Sequence, residues 1–423
     1  MNEPSSGSQY PLDTLDDKPR VSSPGAPAEA AALSPRETVI LAAIAGMGPN
    51  VFMLRNARVL VTGAMGFFGR YVVDLLLELN NGLLSSAPVL IHALDSNVVG
   101  SDLPAHWVNA PNLVRHKHDV RHELGNPMLG GPALTHVWHL AGIASPYWYK
   151  KLPRETVEVA VDGTRNMLKL AREHGARFMF TSSSEVYQTA DIVPTPEHYV
   201  GAIPSLNDRS CYDVSKLLAE TLCYIEATRT DGCTTPEKHP NSQHHHFECV
   251  ARPPLHASIV RIFNSFGPGM GEHDRRILPR IASAMVASRE LKVFKPQGAQ
   301  ALPKRTYTPV ANTLLGFMLV ALKGESCGRP DRRGVNTATG VYNIGLDSPE
   351  LSVPGLISAI TRVTDNPVKY SLEPAPEHYE TEPLRRAPDI TKLKGLGFMP
   401  CMDLDTGLKL FFRWALAEYK GIE

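Results

Sequence analysis

Short apolar runs alternate with longer segments of helical spacing between residues 56 and 265. The apolar runs lie at 57–63, 89–95, 136–142, 176–184 and 256–264. They predict buried strands, because the strands of a parallel sheet covered on both faces carry apolar side chains on both sides. Helical spacing predicts helices over 70–82, over 156–175 and from 209 to about 229. Strands that alternate with helices favour an α/β fold, a Rossmann-type doubly wound parallel sheet.

The two ends of the chain depart from this pattern. Residues 1–33 are rich in Ser, Pro, Ala and acidic groups, which predicts disorder. Ser34, Pro35 and Glu37 match the start of a capped helix, which we expect to reach about Ala45. We expect three regions: an N-terminal extension (1–55), a Rossmann domain (56–265) with an insertion at about 230–255, and a smaller C-terminal lobe (266–423).

Composition narrows the class of protein. Lys plus Arg and Asp plus Glu number 43 each, so the formal net charge is zero and gives no electrostatic reason to expect nucleic acid as a partner. The six cysteines form no C-x-x-C pair, which favours reduced thiols and a reducing compartment. The longest apolar N-terminal run, 38–48, is shorter than the roughly 18 residues that span a bilayer. We therefore expect a soluble, cytoplasmic protein with no membrane partner. The histidines at 244–246, followed by Cys249, favour a polar loop over a metal site, because their spacing is irregular.

The segment GAMGFFG (63–69) lies between the first predicted strand and the first predicted helix. Glycines in this context let the backbone approach a pyrophosphate, and the helix N-terminus supplies N–H donors. Asp95 ends the second strand, where a carboxylate accepts hydrogen bonds from ribose hydroxyls and repels a 2′-phosphate, so it favours NAD over NADP. The alternative is a tight turn with a surface aspartate. The predicted cofactor-binding residues of this region are Gly63, Gly66, Phe67, Phe68, Gly69, Asp95 and Asp119.

Two further segments carry candidate chemistry. TSSSEVY (181–187) follows a strand at its carboxyl end, where parallel sheets bind ligands. Tyr212 and Lys216 are four residues apart and share one face of a predicted helix. A nearby cation lowers the pKa of a phenol and makes it a usable base. Each segment alone is also compatible with a Ser/Thr-rich loop or a solvated helix face.

Together these motifs resemble the short-chain dehydrogenase/reductase superfamily, in its extended sugar-nucleotide branch. The resemblance runs from about residue 56 to 418 and is strongest to UDP-glucuronate decarboxylases. It is carried by HLAGIASPYWY, SSSEVY, PTPEHYVGAIPSLNDRSCYDVSK, RIFNSFGP and LRRAPDITKLKGLGFMP. The resemblance implies NAD as the cofactor, UDP-glucuronate as the substrate and a homodimer that pairs through helices of the cofactor domain.

The resemblance also implies a role for each matching residue. Tyr212 would take the proton of the sugar C4 hydroxyl, Lys216 would lower the pKa of that phenol, and Ser183 would hydrogen-bond the C4 oxygen. Ser184 and Glu185 match a Ser-Glu pair of the decarboxylases. The implied catalytic set is Tyr212, Lys216, Ser183, Ser184, Glu185 and Arg386, of which Tyr212 and Lys216 also contact the cofactor. The implied substrate-binding set is Tyr149, Glu185, Arg209, Asn264, Arg276, Arg305 and Arg386.

The implied chemistry explains these residue types. A carboxylate on C5 is lost readily only after C4 becomes a ketone, because the electron pair left behind is then held as an enolate. NAD+ takes up the hydride, and the protein supplies orientation and electrostatics. The product is UDP-xylose if the ketone is reduced again, or a UDP-4-keto-pentose if it is released.

The chain departs from the family pattern at four places. Ala160, Gln188 and Gly269 replace an asparagine, a glycine and an arginine, and the usual aspartate is missing from 308–313. Two alternatives therefore stay open: a nucleotide-sugar 4,6-dehydratase and a non-catalytic NAD-binding scaffold. Ser184-Glu185 argues against one kind of dehydratase, and Arg386 favours a substrate that carries a carboxylate.

Overall fold

The computed structural model describes residues 33–98, 100, 102–125, 129–228, 254–296, 301–328, 338–375 and 383–422. The predicted disorder before residue 33 and most of the predicted insertion, with the histidines at 244–246 and Cys249, lie outside the described residues. The strands are β1 (Arg58–Thr62), β2 (Leu90–Asp95), β3 (Leu113–Lys117), β4 (His136–His139), β5 (Arg177–Ser183), β6 (Ala257–Ile262), β7 (Ser265–Phe266), β8 (Leu291–Lys295), β9 (Lys304–Arg305), β10 (Thr308–Pro309), β11 (Val341–Ile344), β12 (Leu351–Ser352), β13 (Tyr370–Pro374) and β14 (Arg385–Arg386).

The helices include those predicted from 70 and from 209. They are α1 (Pro35–Met47), α2 (Phe67–Asn81), α3 (Pro146–Lys151), α4 (Pro153–Glu158), α5 (Thr164–His174), α6 (Ser210–Thr228), α7 (Ile277–Val286), α8 (Val310–Lys323), α9 (Val353–Thr364), α10 (Thr391–Gly395) and α11 (Leu404–Glu418). The single helix predicted over 156–175 is instead α4 and α5 joined by a π-helical turn, Val159–Gly163.

Seven parallel strands form the central sheet in the order β11-β6-β5-β4-β1-β2-β3. Successive residues of β1 face opposite sides: Val59 and Val61 pack with α1, α2 and α8, whereas Leu60 packs with α5 and α6. Helices therefore cover both faces, and the predicted Rossmann-type α/β class is confirmed. The sheet extends beyond residue 265, the predicted end of the Rossmann domain. Strand β11 pairs with the open edge of β6, and α8 packs on the sheet face that carries Val59 and Val61.

The N-terminal helix is part of the core. Ser34 caps α1 through a capping box with Glu37, as predicted. A 3₁₀ turn, Gly48–Leu54, continues the helix, so the stretch Pro35–Leu54 is 20 residues long. That stretch is long and apolar enough to cross a membrane by length and composition, although the run at 38–48 alone was too short. Several of its residues pack instead against α2 and α8, among them Val39, Ala43, Met47 and Leu54.

A second hydrophobic cluster lies in the C-terminal part of the chain. It joins α7, α9 and α11 with β8, through buried residues such as Ile281, Leu356 and Phe411. Three short strands, β12, β9 and β14, form a small sheet in which Arg305 and Arg386 are neighbours in register. This small sheet brings residues from distant parts of the chain to the carboxyl end of β5, where TSSSEVY begins.

Candidate active site

The glycine loop has the tight geometry that a bound pyrophosphate requires. Gly63 has φ +67°, and a Cβ there would lie 2.7 Å from the backbone of Ala141. A Cβ on Gly69 would lie 2.0 Å from the Gly63 carbonyl oxygen. Gly66 is the N-cap of α2 and provides no side-chain cap, so the helix N-terminus presents its first N–H groups to an anion. The loop therefore fits a dinucleotide. The rings of Phe67 and Phe68 pack against Tyr71 and Phe317, so these residues contribute backbone rather than side chains.

The two predicted ribose and adenine contacts have different surroundings. Asp95 lies at the end of β2 beside the glycine loop, and its Oδ2 accepts a hydrogen bond of 2.9 Å from the Met65 backbone N–H. Its position is the one that a ribose-binding carboxylate requires. Asp119 follows β3 and forms a salt bridge with Arg121 at 2.8 Å. An adenine amino group would therefore share Asp119 with that guanidinium.

Tyr212, Lys216 and Ser183 meet at the carboxyl end of β5. Tyr212 and Lys216 lie on α6 and are buried, and Ser183 ends β5. The Lys216 ammonium donates a hydrogen bond of 2.8 Å to the Thr181 carbonyl and lies 5.9 Å from the centre of the Tyr212 ring. Tyr149 on α3 stacks on Tyr212, with ring centres 5.4 Å apart. The structure thus brings four of the predicted residues together.

Burial has the largest effect on the pKa values of Tyr212 and Lys216. It raises the pKa of Tyr212 to about 12, with Glu185 and Asp213 acting in the same direction, while Ser183 and Arg276 oppose the rise. The expectation of a lowered phenol pKa is therefore wrong in direction, because desolvation outweighs the opposing effects of Ser183 and Arg276. Burial also lowers the pKa of Lys216 to about 8.

Glu185 lies at the centre of a group of arginines. Its carboxylate forms salt bridges with Arg386 and, at 2.5 Å, with Arg209. Burial opposes the ionisation of Glu185, yet the charges of Arg386, Arg209 and Arg305 together hold the pKa of that carboxyl below its usual range. Arg386 is 9% exposed, and its Nε is a buried donor with no hydrogen-bond partner among the described residues. Arg385, its neighbour, points to the surface and pairs with Glu350.

The remaining predicted substrate contacts surround this group. Asn264 follows β6 with φ +36° and donates to the Thr306 carbonyl at 3.0 Å. Arg276 is the N-cap residue of α7 and forms a salt bridge with Asp274 at 2.5 Å. Ser184 is buried directly after Ser183. Arg305 is placed beside Arg386 by the pairing of β9 with β14.

Sequence reasoning missed one carboxylate of the site. Asp213 follows Tyr212 and is 1% exposed. Its Oδ2 accepts a hydrogen bond of 2.6 Å from Gln188, and its Oδ1 has no partner among the described residues. Gln188 is one of the four departures; its backbone has φ +50°, the region that favours glycine. The spacing of Arg209 and Asp213, four apart on a helix, was the available signal.

Comparison with known proteins identifies the family. The model of the "NAD dependent epimerase/dehydratase family" matches residues 59–345. UDP-glucuronic acid decarboxylase 5 of Arabidopsis thaliana is 31% identical over 375 residues, which are 88% of this chain and 93% of that protein. UDP-glucuronic acid decarboxylase 1 of Xenopus tropicalis is 28% identical over 354 residues, 83% of this chain and 70% of that protein.

Solved structures share the fold at lower identity. UDP-glucose 4-epimerase of Thermotoga maritima, with UDP-glucose, superposes with a TM-score of 0.62 at 21% identity, over 84% of this chain and 98% of that one. UDP-glucuronic acid 4-epimerase of Bacillus cereus, with UDP-glucuronic acid and NAD, gives a TM-score of 0.61 at 20% identity, over 86% of this chain and all of that one. Since the family model matches more than half of the residues and the Arabidopsis relative aligns along most of its length, this chain belongs to the NAD dependent epimerase/dehydratase family.

Proposed function

We propose that the protein is an NAD-dependent UDP-glucuronate decarboxylase. The observation that carries the proposal is the buried Nε of Arg386, which has no hydrogen-bond partner among the described residues. A buried, charged donor left unpaired is costly, so it marks a place where a ligand supplies the acceptor. Three arginines act on Glu185, and one of them, Arg209, also lies 3.5 Å from the carboxylate of Asp213. Three guanidinium groups against two carboxylates leave positive charge that suits a further carboxylate, such as the one on C5 of a glucuronate, and a guanidinium binds it through parallel hydrogen bonds.

The residues of the site divide the work as follows. Gly63, Gly69 and Asp95 hold the dinucleotide, which supplies a hydride acceptor when it is bound as NAD+ and a donor as NADH. Tyr212 takes the proton of the sugar C4 hydroxyl, and Ser183 hydrogen-bonds the same oxygen.

A ketone at C4 makes the substrate a β-keto acid. The C5 carboxylate leaves as CO2, and the electron pair of the broken bond remains as an enolate whose oxygen receives hydrogen bonds from Tyr212 and Ser183. Arg386 orients the carboxylate before it leaves. Asn264, Arg276 and Arg305 bind the nucleotide diphosphate, so that residues 56–265 hold mainly the cofactor and residues 266–423 mainly the nucleotide sugar.

The decisive experiment compares two neighbouring arginines. Purified protein is incubated with UDP-glucuronate and NAD+, released CO2 is measured, and the nucleotide sugar is identified by mass spectrometry. Arg386→Ala should abolish CO2 release and leave NAD+ affinity unchanged. Arg385→Ala is the matched control, because its side chain is exposed and pairs with Glu350. Tyr212→Phe should stop the reaction before CO2 is lost. If Arg386→Ala releases CO2 at the wild-type rate, the carboxylate site is misassigned.

We also propose that the enzyme is a cytoplasmic homodimer. The cysteines that the structure describes are free thiols, in keeping with a reducing compartment. Helices α4 and α6 pack together and expose the apolar side chains of Val157, Val214, Leu217, Leu218 and Tyr224. Adjacent exposed apolar residues of this kind suit a helix-to-helix interface between two copies. Light scattering at micromolar concentration should give the dimer mass, and Leu218→Glu should give the monomer mass.

A further inference from the structure

A cluster of aromatic and basic side chains surrounds Tyr147. Tyr147 lies on α3, and its ring stacks on His273 with centres 5.9 Å apart and planes 22° from parallel. The Lys151 ammonium donates a hydrogen bond of 2.6 Å to the Tyr147 hydroxyl and lies 4.0 Å from the ring centre. The Arg275 guanidinium lies 5.6 Å from the same centre. Besides its neighbour Trp148, the half-buried ring of Tyr147 thus contacts three groups, two of which come from a segment more than a hundred residues away.

The two segments that meet at Tyr147, α3 and residues 271–276, both line the proposed site. Helix α3 also carries Tyr149, which stacks on Tyr212. The segment 271–276 carries His273 and Arg275 and ends at Arg276, whose charge opposes the rise in the pKa of Tyr212. The stack of Tyr147 on His273 therefore joins α3, which carries Tyr149, to the segment that ends at Arg276.

The charges of the cluster are not neutralised within it. Lys151 and Arg275 have no carboxylate within ion-pair distance in the part of the chain that the structure describes, whereas Arg276 is paired with Asp274. Cations at an aromatic face keep their charge available to a further anion, since the ring supplies only a weak electrostatic attraction. A bound diphosphate would supply the negative charge that is missing beside Lys151 and Arg275.

We propose that Tyr147 is a positioning residue of the nucleotide-sugar site. Its stack on His273 forms a clasp that holds α3 and the segment 271–276 together, so that Arg276 stays where a diphosphate binds. The proposal rests on the proposed function for the nucleotide sugar and for the diphosphate contact of Arg276, whereas the stack of Tyr147 on His273 is observed. Tyr147 does not touch Tyr212, Ser183 or Lys216 and acts through the position of the α7 N-terminus. Its loss should weaken nucleotide binding and leave the chemical step intact.

The test separates binding, chemistry and folding. Tyr147→Ala should raise KM for UDP-glucuronate and Kd for UDP on the order of tenfold, the effect of losing one stacked pair and its cation contacts, while kcat stays within about twofold. Kd for NAD+ and Tm should stay at wild-type values. Tyr147→Phe keeps the ring and should retain most of the affinity. Tyr370→Ala removes an exposed tyrosine on β13, serves as the control and should change none of these quantities.

A double-mutant cycle tests whether the stack is the cause. If Tyr147 acts through His273, the double variant Tyr147→Ala/His273→Ala should weaken UDP binding no further than Tyr147→Ala alone. Additive losses would overturn the clasp, as would an unchanged Kd for UDP or an equal loss of NAD+ affinity and Tm. Because Kd for UDP needs no turnover, weakened UDP binding in a protein that releases no CO2 would support the clasp and refute only the decarboxylase assignment.

Discussion

Replacing Asp213 by asparagine should remove a pH-dependent loss of folding stability. The carboxyl group is 1% exposed, and one of its oxygens has no hydrogen-bond partner among the described residues. Burial and the neighbouring charge of Glu185 raise the pKa of Asp213 from 3.8 to about 6, although Arg209 and Gln188 oppose the rise. The folded protein therefore prefers the protonated, neutral form of this side chain.

The size and sign of the effect follow from proton linkage. A raised pKa means that the folded state binds the proton of Asp213 more tightly than the unfolded state does. This proton binding stabilises the folded state fully below the pKa of the unfolded state, and the stabilisation is lost as pH rises through the pKa of the folded state. A shift from 3.8 to about 6 corresponds to about 3 kcal/mol at about 1.4 kcal/mol for each pKa unit. Between about pH 4 and pH 7, the free energy of unfolding of wild type should fall by this amount relative to that of a variant that cannot ionise at residue 213.

Urea unfolding at several pH values measures this difference. The free energy of unfolding of Asp213→Asn, minus that of wild type, should increase by about 3 kcal/mol between about pH 4 and pH 7. Asp208→Asn replaces an exposed aspartate just before α6 and should leave the wild-type pH profile unchanged. The reasoning is refuted if the difference between Asp213→Asn and wild type is independent of pH or falls as pH rises.

Three further predictions concern the cofactor and the base. NAD+ should bind more tightly than NADP+ in calorimetry, because Asp95 repels a 2′-phosphate; equal or reversed affinities would contradict this. Gly69→Ala should abolish NAD+ binding, since its Cβ would lie 2.0 Å from the Gly63 carbonyl oxygen, whereas Gly395→Ala, with no atom within 4 Å, should bind normally. The kcat/KM value should rise from about pH 6 to about pH 8, because burial raises the pKa of Tyr212 to about 12 and only the ionised phenol acts as a base; a flat profile would exclude that role.

The sequence by itself determined the features that depend on neighbours along the chain. Alternating apolar runs and helical segments predicted five of the seven sheet strands in place or nearly so, and the capping box predicted the start of α1. The glycine loop was predictable because its spacing reflects a backbone that tolerates no Cβ at Gly63 and Gly69. The resemblance to the extended sugar-nucleotide branch is confirmed by the family match and by the Arabidopsis relative.

The tertiary structure decided what depends on residues far apart in sequence. The edge strand β11 was not predicted, because four buried residues without a clear period show no partner until β6 presents its edge. Sequence analysis named Arg386, but only the fold brings its guanidinium into contact with Glu185, 201 residues away. The pKa of Tyr212 rises rather than falls because the folded chain removes water from the phenol, and desolvation of a side chain is a property of packing that no local pattern of residues contains.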